Sequence, residues 1–262
     1  MDKKQSLKKP LNEHSKIDKA IAVLSGKGGV GKSMFTGLLS SEMRRRGHSV
    51  GVLDADILGP SIPKIFGADE TVFQTEKGIR PIKTSSGLEL MSVNLILESP
   101  TDPVLWRAPV VGNMLTTFWS DVYWGEKDYL FVDMPPGTGD VALTVFQTMD
   151  IDGIVIVTSP QDLVSMIVEK ALNMAKMMGI PVVGIVENMS YFVAPDTGVR
   201  YDIFGKSKTE AIAKERGIPF LGALPIDPKL AEAADGGSIE YYQNDALQAV
   251  GDALEAFEKR QK

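Results

Sequence analysis

The 262-residue chain contains no cysteine. That absence excludes disulfides, thiolate nucleophiles, zinc-thiolate sites and cysteine-held iron-sulfur clusters, each of which needs a deprotonated sulfur. Histidine is almost as scarce: His14 and His48 are the only two, and they lie far apart among polar neighbours, so they make no metal site. A basic excess is missing too. Lys plus Arg is 28 against 34 for Asp plus Glu, a net charge of -6, which removes any general attraction to nucleic acid or anionic lipid. No nucleic-acid or membrane partner is therefore expected. Long apolar runs are also lacking: the longest uncharged apolar stretch, near 177–186, contains Pro181 and is about half what a membrane span requires. The N-terminus has no apolar run of the signal-peptide kind, so a cytoplasmic location is the expectation.

What is present is the composition of a globular domain, 44% hydrophobic and 24% charged, enough for one large core. Residues 1–18 carry Lys3, Lys4, Lys8 and Lys9 with few apolar side chains and read as a disordered basic tail. Residues 19–262 read as a single domain. Within it, Val/Ile/Leu-rich runs at 21–25, 49–53, 129–132, 154–159, 182–186 and 220–224 alternate with helix-length segments at 32–46, 163–178 and 206–216. Continuous apolar strands separated by helices predict an α/β fold with a doubly wound, mostly parallel sheet in three layers. Residues 78–93 break the pattern and predict a hairpin or excursion around Ser85, Ser86 and Gly87. Leu247, Val250, Leu254 and Phe257 share one face of a C-terminal helix, which predicts docking onto the core.

The first strand runs into Gly26-Lys27-Gly28-Gly29-Val30-Gly31-Lys32-Ser33, a match to G-x-x-x-x-G-K-[ST] followed by a helix. Glycines let consecutive backbone N–H groups turn towards phosphate oxygens, and the helix N-terminus adds positive potential. Lys32 is placed to reach the outer phosphates and Ser33 to ligate Mg²⁺. The nucleotide-binding stretch is taken as Gly26 to Met34, with ATP or ADP and Mg²⁺ as ligands. The second strand ends in Leu53-Asp54-Ala55-Asp56, at the sheet edge where a metal and an attacking water are expected; a turn or helix cap is the plainer role for such residues. A third buried run leads into Asp133-Met134-Pro135-Pro136-Gly137-Thr138-Gly139-Asp140. Asp133 fits an acid holding Mg²⁺ through water, and the Gly137 N–H is placed to sense the terminal phosphate. Asp140 is expected to cap the following helix.

Lys27, a second lysine inside the loop, makes the sequence resemble the signature-lysine (deviant Walker A) P-loop ATPases. In that group this lysine reaches the partner's nucleotide, so the resemblance implies an ATP-linked homodimer with Lys27 and Lys32 catalytic. The further strings D-A-D-I-L-G-P-S-I-P at 54–63, W-R-A-P at 106–109, D-M-P-P-G-T-G-D at 133–140, T-S-P-Q at 158–161 and N-M-S at 188–190 narrow the resemblance to the Mrp/ApbC family of iron-sulfur cluster carriers. That resemblance implies that Asp56 orients or activates water and that Asp54 supports Mg²⁺ or the loop lysine. It also implies that Asn188 contacts adenine and that Pro225 and Asp227 line the base. The family's C-P-x-C pair, which would bridge a 4Fe-4S cluster across the dimer, is replaced here by Ala194-Pro195-Asp196-Thr197. Neither Ala194 nor Thr197 can replace a thiolate. Ser207 and Lys208 stand where the family has glycines, and Ala108 where it has the glycine of W-R-G-P.

Three functions follow. One is an Mg²⁺-dependent ATPase in iron-sulfur protein maturation, with a protein client or assembly partner. Another is a nucleotide-switched adaptor for protein partners, without any cluster. The least favoured is a Min/Par-like positioning ATPase, which the acidic charge disfavours.

Overall fold

The computed structural model describes residues 8–96, 108–160 and 164–259. The readings at Lys3, Lys4, Trp106, Arg107 and Gln161, and the side chains of Ala108 and Pro109, lie outside the described residues.

The chain enters the sheet as β1 (Lys16–Ser25), turns through the glycine-rich loop and continues as α1 (Lys32–Arg45). Next come β2 (Val50–Asp54), the short α2 (Ile62–Ile65), and β3 (Phe73–Thr75) paired with β4 (Gly78–Arg80). β5 (Ile82–Lys83), β6 (Glu89–Met91), α3 (Ala108–Ser120), β7 (Glu126–Asp133) and α4 (Asp140–Thr148) follow. The second half comprises β8 (Gly153–Thr158), α5 (Val164–Met178), β9 (Val182–Val193) and β10 (Arg200–Tyr201). It closes with α6 (Thr209–Glu215), β11 (Phe220–Ile226), α7 (Pro228–Asp235) and α8 (Gln248–Ala256).

The main sheet has the order β10-β9-β8-β1-β7-β2-β6-β5, with β11 also paired to β9. β1, β2, β6, β7, β8, β9 and β11 run parallel, and among the described residues only β5 and β10 join this sheet antiparallel. Alternation along β1 sends Ala20, Ala22 and Leu24 to one apolar layer and Ile21 and Val23 to the other, so both faces are covered, as crossover helices require. The hairpin expected over 78–93 is β5–β6. It is no outlying excursion, because β6 pairs with β2 and extends the sheet. α8 docks as its spacing implied: Val250 and Leu254 within it and Leu247 just before it are fully buried, and Phe257 just after it packs half-buried on the same layer.

Two expectations are corrected. Residues 16–18, read as tail, are the first residues of β1, and the segment before them is tied down from Lys8 onwards. The Lys9 N–H bonds the Thr148 carbonyl, Trp119 Nε1–H bonds the Lys9 carbonyl, and Leu11 packs on the core. Backbone pairing and one apolar anchor offset the ordering entropy that a lysine-rich composition alone would not. Asp140 is not a cap: Gly139 takes the cap position and Asp140 is the first helical residue of α4, where its charge favours the positive helix end.

Candidate functional site: a phosphate loop over a buried acid

β1, β2 and β7 are neighbours in the sheet and end at the same edge, which places their C-terminal residues together. Asp133 lies opposite Val23 of β1 on one side and Asp54 of β2 on the other. The glycine-rich loop leaves β1 at this edge with Gly29 at φ 79° and Gly31 at φ 75°, left-handed values that a side chain resists. Gly31 sits at the N-cap of α1, so the amides of the first helical turn open onto the loop.

Beneath the loop, Asp133 is fully buried and binds three partners. Lys32 Nζ lies 2.8 Å from Oδ1, the Thr36 hydroxyl donates to Oδ1 at 2.7 Å, and the Ser33 hydroxyl donates to Oδ2 at 2.5 Å. Lys32 is itself only 6% exposed. A cation and two hydroxyls thus balance one buried carboxylate, the condition for holding such a charge away from water. Thr36 was not singled out from the sequence. Its place one turn after Lys32, on the face that carries Ser33 and the loop, is the signal that helical periodicity offered.

Asp54 is also fully buried, but its role is visibly local. Its carboxylate accepts from the backbone N–H groups of Asp56, Ser61 and Ile62 and from the Ser92 hydroxyl, at 3.1–3.3 Å. It thereby staples the turn after β2 and the start of α2, so any part in metal binding comes on top of that structural work. Burial pushes the Asp54 carboxyl up to about 8, with the Asp133 charge adding to the rise. Asp56 is half-buried, and burial raises it as well; the Lys32 charge opposes the rise.

The remaining predicted residues divide into two groups. Asn188 is brought to the loop: its Nδ2 donates to the Val30 carbonyl at 3.0 Å. A Cβ on Gly31 would stand 2.3 Å from that same nitrogen. The Gly137 N–H is donated to the Ser25 carbonyl at 2.9 Å, latching the loop after β7 to the end of β1. Lys27 is half-buried on the loop, and its carbonyl accepts from Ser25 Oγ. Pro225 and Asp227 instead line a cavity of about 630 Å³ with Tyr191, Phe192, Lys229 and Tyr242. There Asp227 caps α7, accepting from the Lys229 N–H at 2.9 Å and from the Tyr242 hydroxyl at 2.6 Å. Tyr242 was missed, since it lies 15 residues away in sequence in no recognisable motif.

Ser33 Oγ and an Asp133 oxygen at hydrogen-bond distance are hard oxygen donors. They fit Mg²⁺, which takes one or two protein oxygens together with water and phosphate. Ala194 and Thr197 sit in the β9–β10 hairpin, where the Ala194 N–H bonds the Val199 carbonyl. They offer no sulfur, and the site does not fit an iron-sulfur cluster.

A glycine loop between a strand and a helix, over a strand-end acid paired to the loop lysine, defines a P-loop nucleoside triphosphatase. The family described as "ParA: NUBPL iron-transfer P-loop NTPase" matches residues 16–259, and the chain belongs to it. An iron-sulfur cluster carrier protein of Methanocaldococcus jannaschii is 49% identical over 225 residues, 85% of this chain and 78% of that protein. A cytosolic Fe-S cluster assembly factor NUBP2 homolog of Trichoplax adhaerens is 41% identical, covering 85% of this chain and 86% of that one. Among solved structures, the nucleotide-binding protein of Archaeoglobus fulgidus in complex with ADP superposes with a TM-score of 0.81 at 42% identity, covering 88% and 91% of the two chains. The cell division ATPase MinD of Pyrococcus furiosus shares the fold, with a TM-score of 0.67 at 18% identity over 91% and 98%.

Proposed function

We propose that this chain is an Mg²⁺-dependent ATPase that works as a homodimer in iron-sulfur cluster transfer, with the cluster held by a client or assembly partner. The observation that carries the reading is the buried Lys32–Asp133–Ser33–Thr36 knot directly under the phosphate loop. Without nucleotide, Lys32 serves as the counter-ion of Asp133. When a triphosphate enters, Lys32 turns to the outer phosphate, and Asp133 and Ser33 would hold the metal. Mg²⁺, when bound, offsets phosphate charge and polarises the transferred phosphoryl group. Asp56, raised by burial, accepts a proton from the attacking water. The Gly137 N–H exchanges its Ser25 carbonyl for the terminal phosphate, which makes the loop after β7 sensitive to hydrolysis. Lys27 is assigned to the nucleotide across the dimer, and Asn188, Pro225 and Asp227 to the base.

The cluster role draws on the names of the relatives, and the missing sulfur gives it its particular form. The test is anaerobic reconstitution with iron and sulfide, followed by iron analysis and an ATPase assay. A colourless, iron-free protein that hydrolyses ATP is the expected result. Stoichiometric brown cluster in the purified chain would reject the client-held form, and unchanged hydrolysis in both Lys27→Ala and Lys32→Ala would reject the site.

One observation favours a second reading, a nucleotide-switched adaptor. The β9–β10 hairpin and the loop after it expose Val199, Tyr201, Ile203 and Phe204, more apolar surface than a solvated loop needs. Capture of the same protein partner in one nucleotide state and its release in the other, with no change in cluster transfer, would favour the adaptor.

A further inference from the structure

Met189 is the only non-glycine residue with positive φ among the described residues, at 54°. It lies inside β9, where an extended backbone is the rule, so the value marks local strain held in place by its surroundings. The strand pairing shows the cause. Ala223 lies opposite Glu187 and Pro225 opposite Tyr191, so Asn188, Met189 and Ser190 together face the single residue Leu224. This is a bulge, a device that re-aims a side chain beside a site. Here it directs Asn188 into the Val30 carbonyl.

On the far side of the bulge the chain, residues 190–207, runs out as an arm and returns; its root, Tyr191 and Phe192, stays paired with Pro225 and Ile226 of β11. Both ends of the arm are tied to one fully buried carboxylate. Glu187 accepts from Ser190 Oγ at 2.6 Å where the arm leaves, and from Ser207 Oγ at 2.8 Å and Thr209 Oγ1 where it comes back. The arm is braced within itself by the β9–β10 pairing and by Arg200, whose guanidinium lies 3.9 Å from the centre of the Tyr191 ring. Its first residues, Tyr191 and Phe192, line the cavity that also contains Pro225 and Asp227.

We infer that the Met189 bulge is a positioning joint that couples nucleotide at the phosphate loop to the angle of the 190–207 arm. The inference rests on the nucleotide site proposed above. With the loop empty, the Asn188–Val30 bond on one side and the Glu187 clamp on the other keep Met189 left-handed. A nucleotide that re-engages Asn188 lets Met189 relax towards extended backbone; that shifts the arm's root against β11, and because the arm is braced, its exit direction changes as one piece. Glycine at 189 would remove the strain that drives the turn.

The absence of cysteine makes the test direct, because a single Val199→Cys on the exposed part of the arm takes one environment-sensitive fluorophore. Fluorescence is read without nucleotide, with Mg·ADP and with a slowly hydrolysed Mg·ATP analogue, while binding is followed separately with a fluorescent nucleotide. The labelled protein should respond to nucleotide, and Met189→Gly should cut that response by about threefold or more at saturating nucleotide, as loss of the driving strain predicts. Glu187→Gln, which weakens the clamp without removing side-chain volume, should cut it as well. Nucleotide binding with no arm response would overturn the coupling, as would a response undiminished in both variants. A response that fades on dilution at saturating nucleotide would come from contact between copies and would equally overturn it. Failure to bind any nucleotide would reject the proposed site and the coupling with it, a result distinguishable from the others because the binding signal itself is lost.

Discussion

Lys32→Ala tests the knot beneath the loop as a matter of stability, separately from catalysis. The lysine is 6% exposed, Asp133 is fully buried, and their charged atoms stand 2.8 Å apart. Removing one partner of such a pair leaves a buried charge uncompensated, a loss of roughly 3–5 kcal/mol. The Thr36 and Ser33 hydroxyls remain on the carboxylate, which favours the lower end of that range. Adding Asp133→Asn removes the orphaned charge, and both hydroxyls can rotate to suit the amide. The double variant should therefore return to within about 1–2 kcal/mol of wild type, a coupling of about 2 kcal/mol or more in a double-mutant cycle. The assay is urea unfolding without nucleotide, with the slope compared across all four proteins to confirm that the unfolding transition is the same one. Neither the single nor the double variant should gain stability from Mg·ATP, although wild type should. A Lys32→Ala cost below about 1 kcal/mol, or a double variant equal to the sum of the singles, would refute the reasoning, because a truly buried, paired carboxylate cannot lose its cation so cheaply.

Proton release offers a second test. Since burial pushes the Asp54 carboxyl up to about 8, Mg²⁺ bound beside it should displace protons, more at pH 7 than at pH 9, measured calorimetrically in buffers of different ionisation heat; a release independent of pH would reject it. The native carboxyl holds its proton to higher pH than the unfolded chain does, so metal-free protein should lose stability as pH rises from about 4 to about 8. In the loop, Gly31→Ala meets both a φ of 75° and an amide nitrogen 2.3 Å from the new Cβ, whereas Gly29→Ala at φ 79° meets nothing within 4 Å. Unfolding should show Gly29→Ala costing about 1–2 kcal/mol and Gly31→Ala about 1 kcal/mol more through loss of the Asn188–Val30 bond; equal costs would mean that Asn188 does not pin the loop. In the core, Leu254→Ala on α8 should cost about 2–5 kcal/mol by thermal or urea unfolding, and a neutral result would mean that the helix is not docked.

The fold was legible in the sequence wherever one local pattern had one solution. Continuous apolar runs separated by helix-length segments can only be covered on both faces, so the parallel sheet followed, and the glycines at 26–33 announced a loop whose backbone N–H groups turn towards phosphate. The lysine-rich stretch before β1 shows the limit of composition, because its order comes from the Thr148 carbonyl and the Trp119 indole, far along the chain. The chemistry divides in the same way. A phosphate loop, two strand-end acids and no sulfur with which to hold a cluster are all matters of residue identity. The folded arrangement of the strands pairs Asp133 to Lys32 and spends Asp54 on stapling a turn. It alone put Thr36, Tyr242 and the Glu187 clamp to work and bent β9 at Met189. A side chain's charge state and task depend on which donors reach it and how much water is left. Those are properties of strands brought side by side, which no single stretch of chain contains.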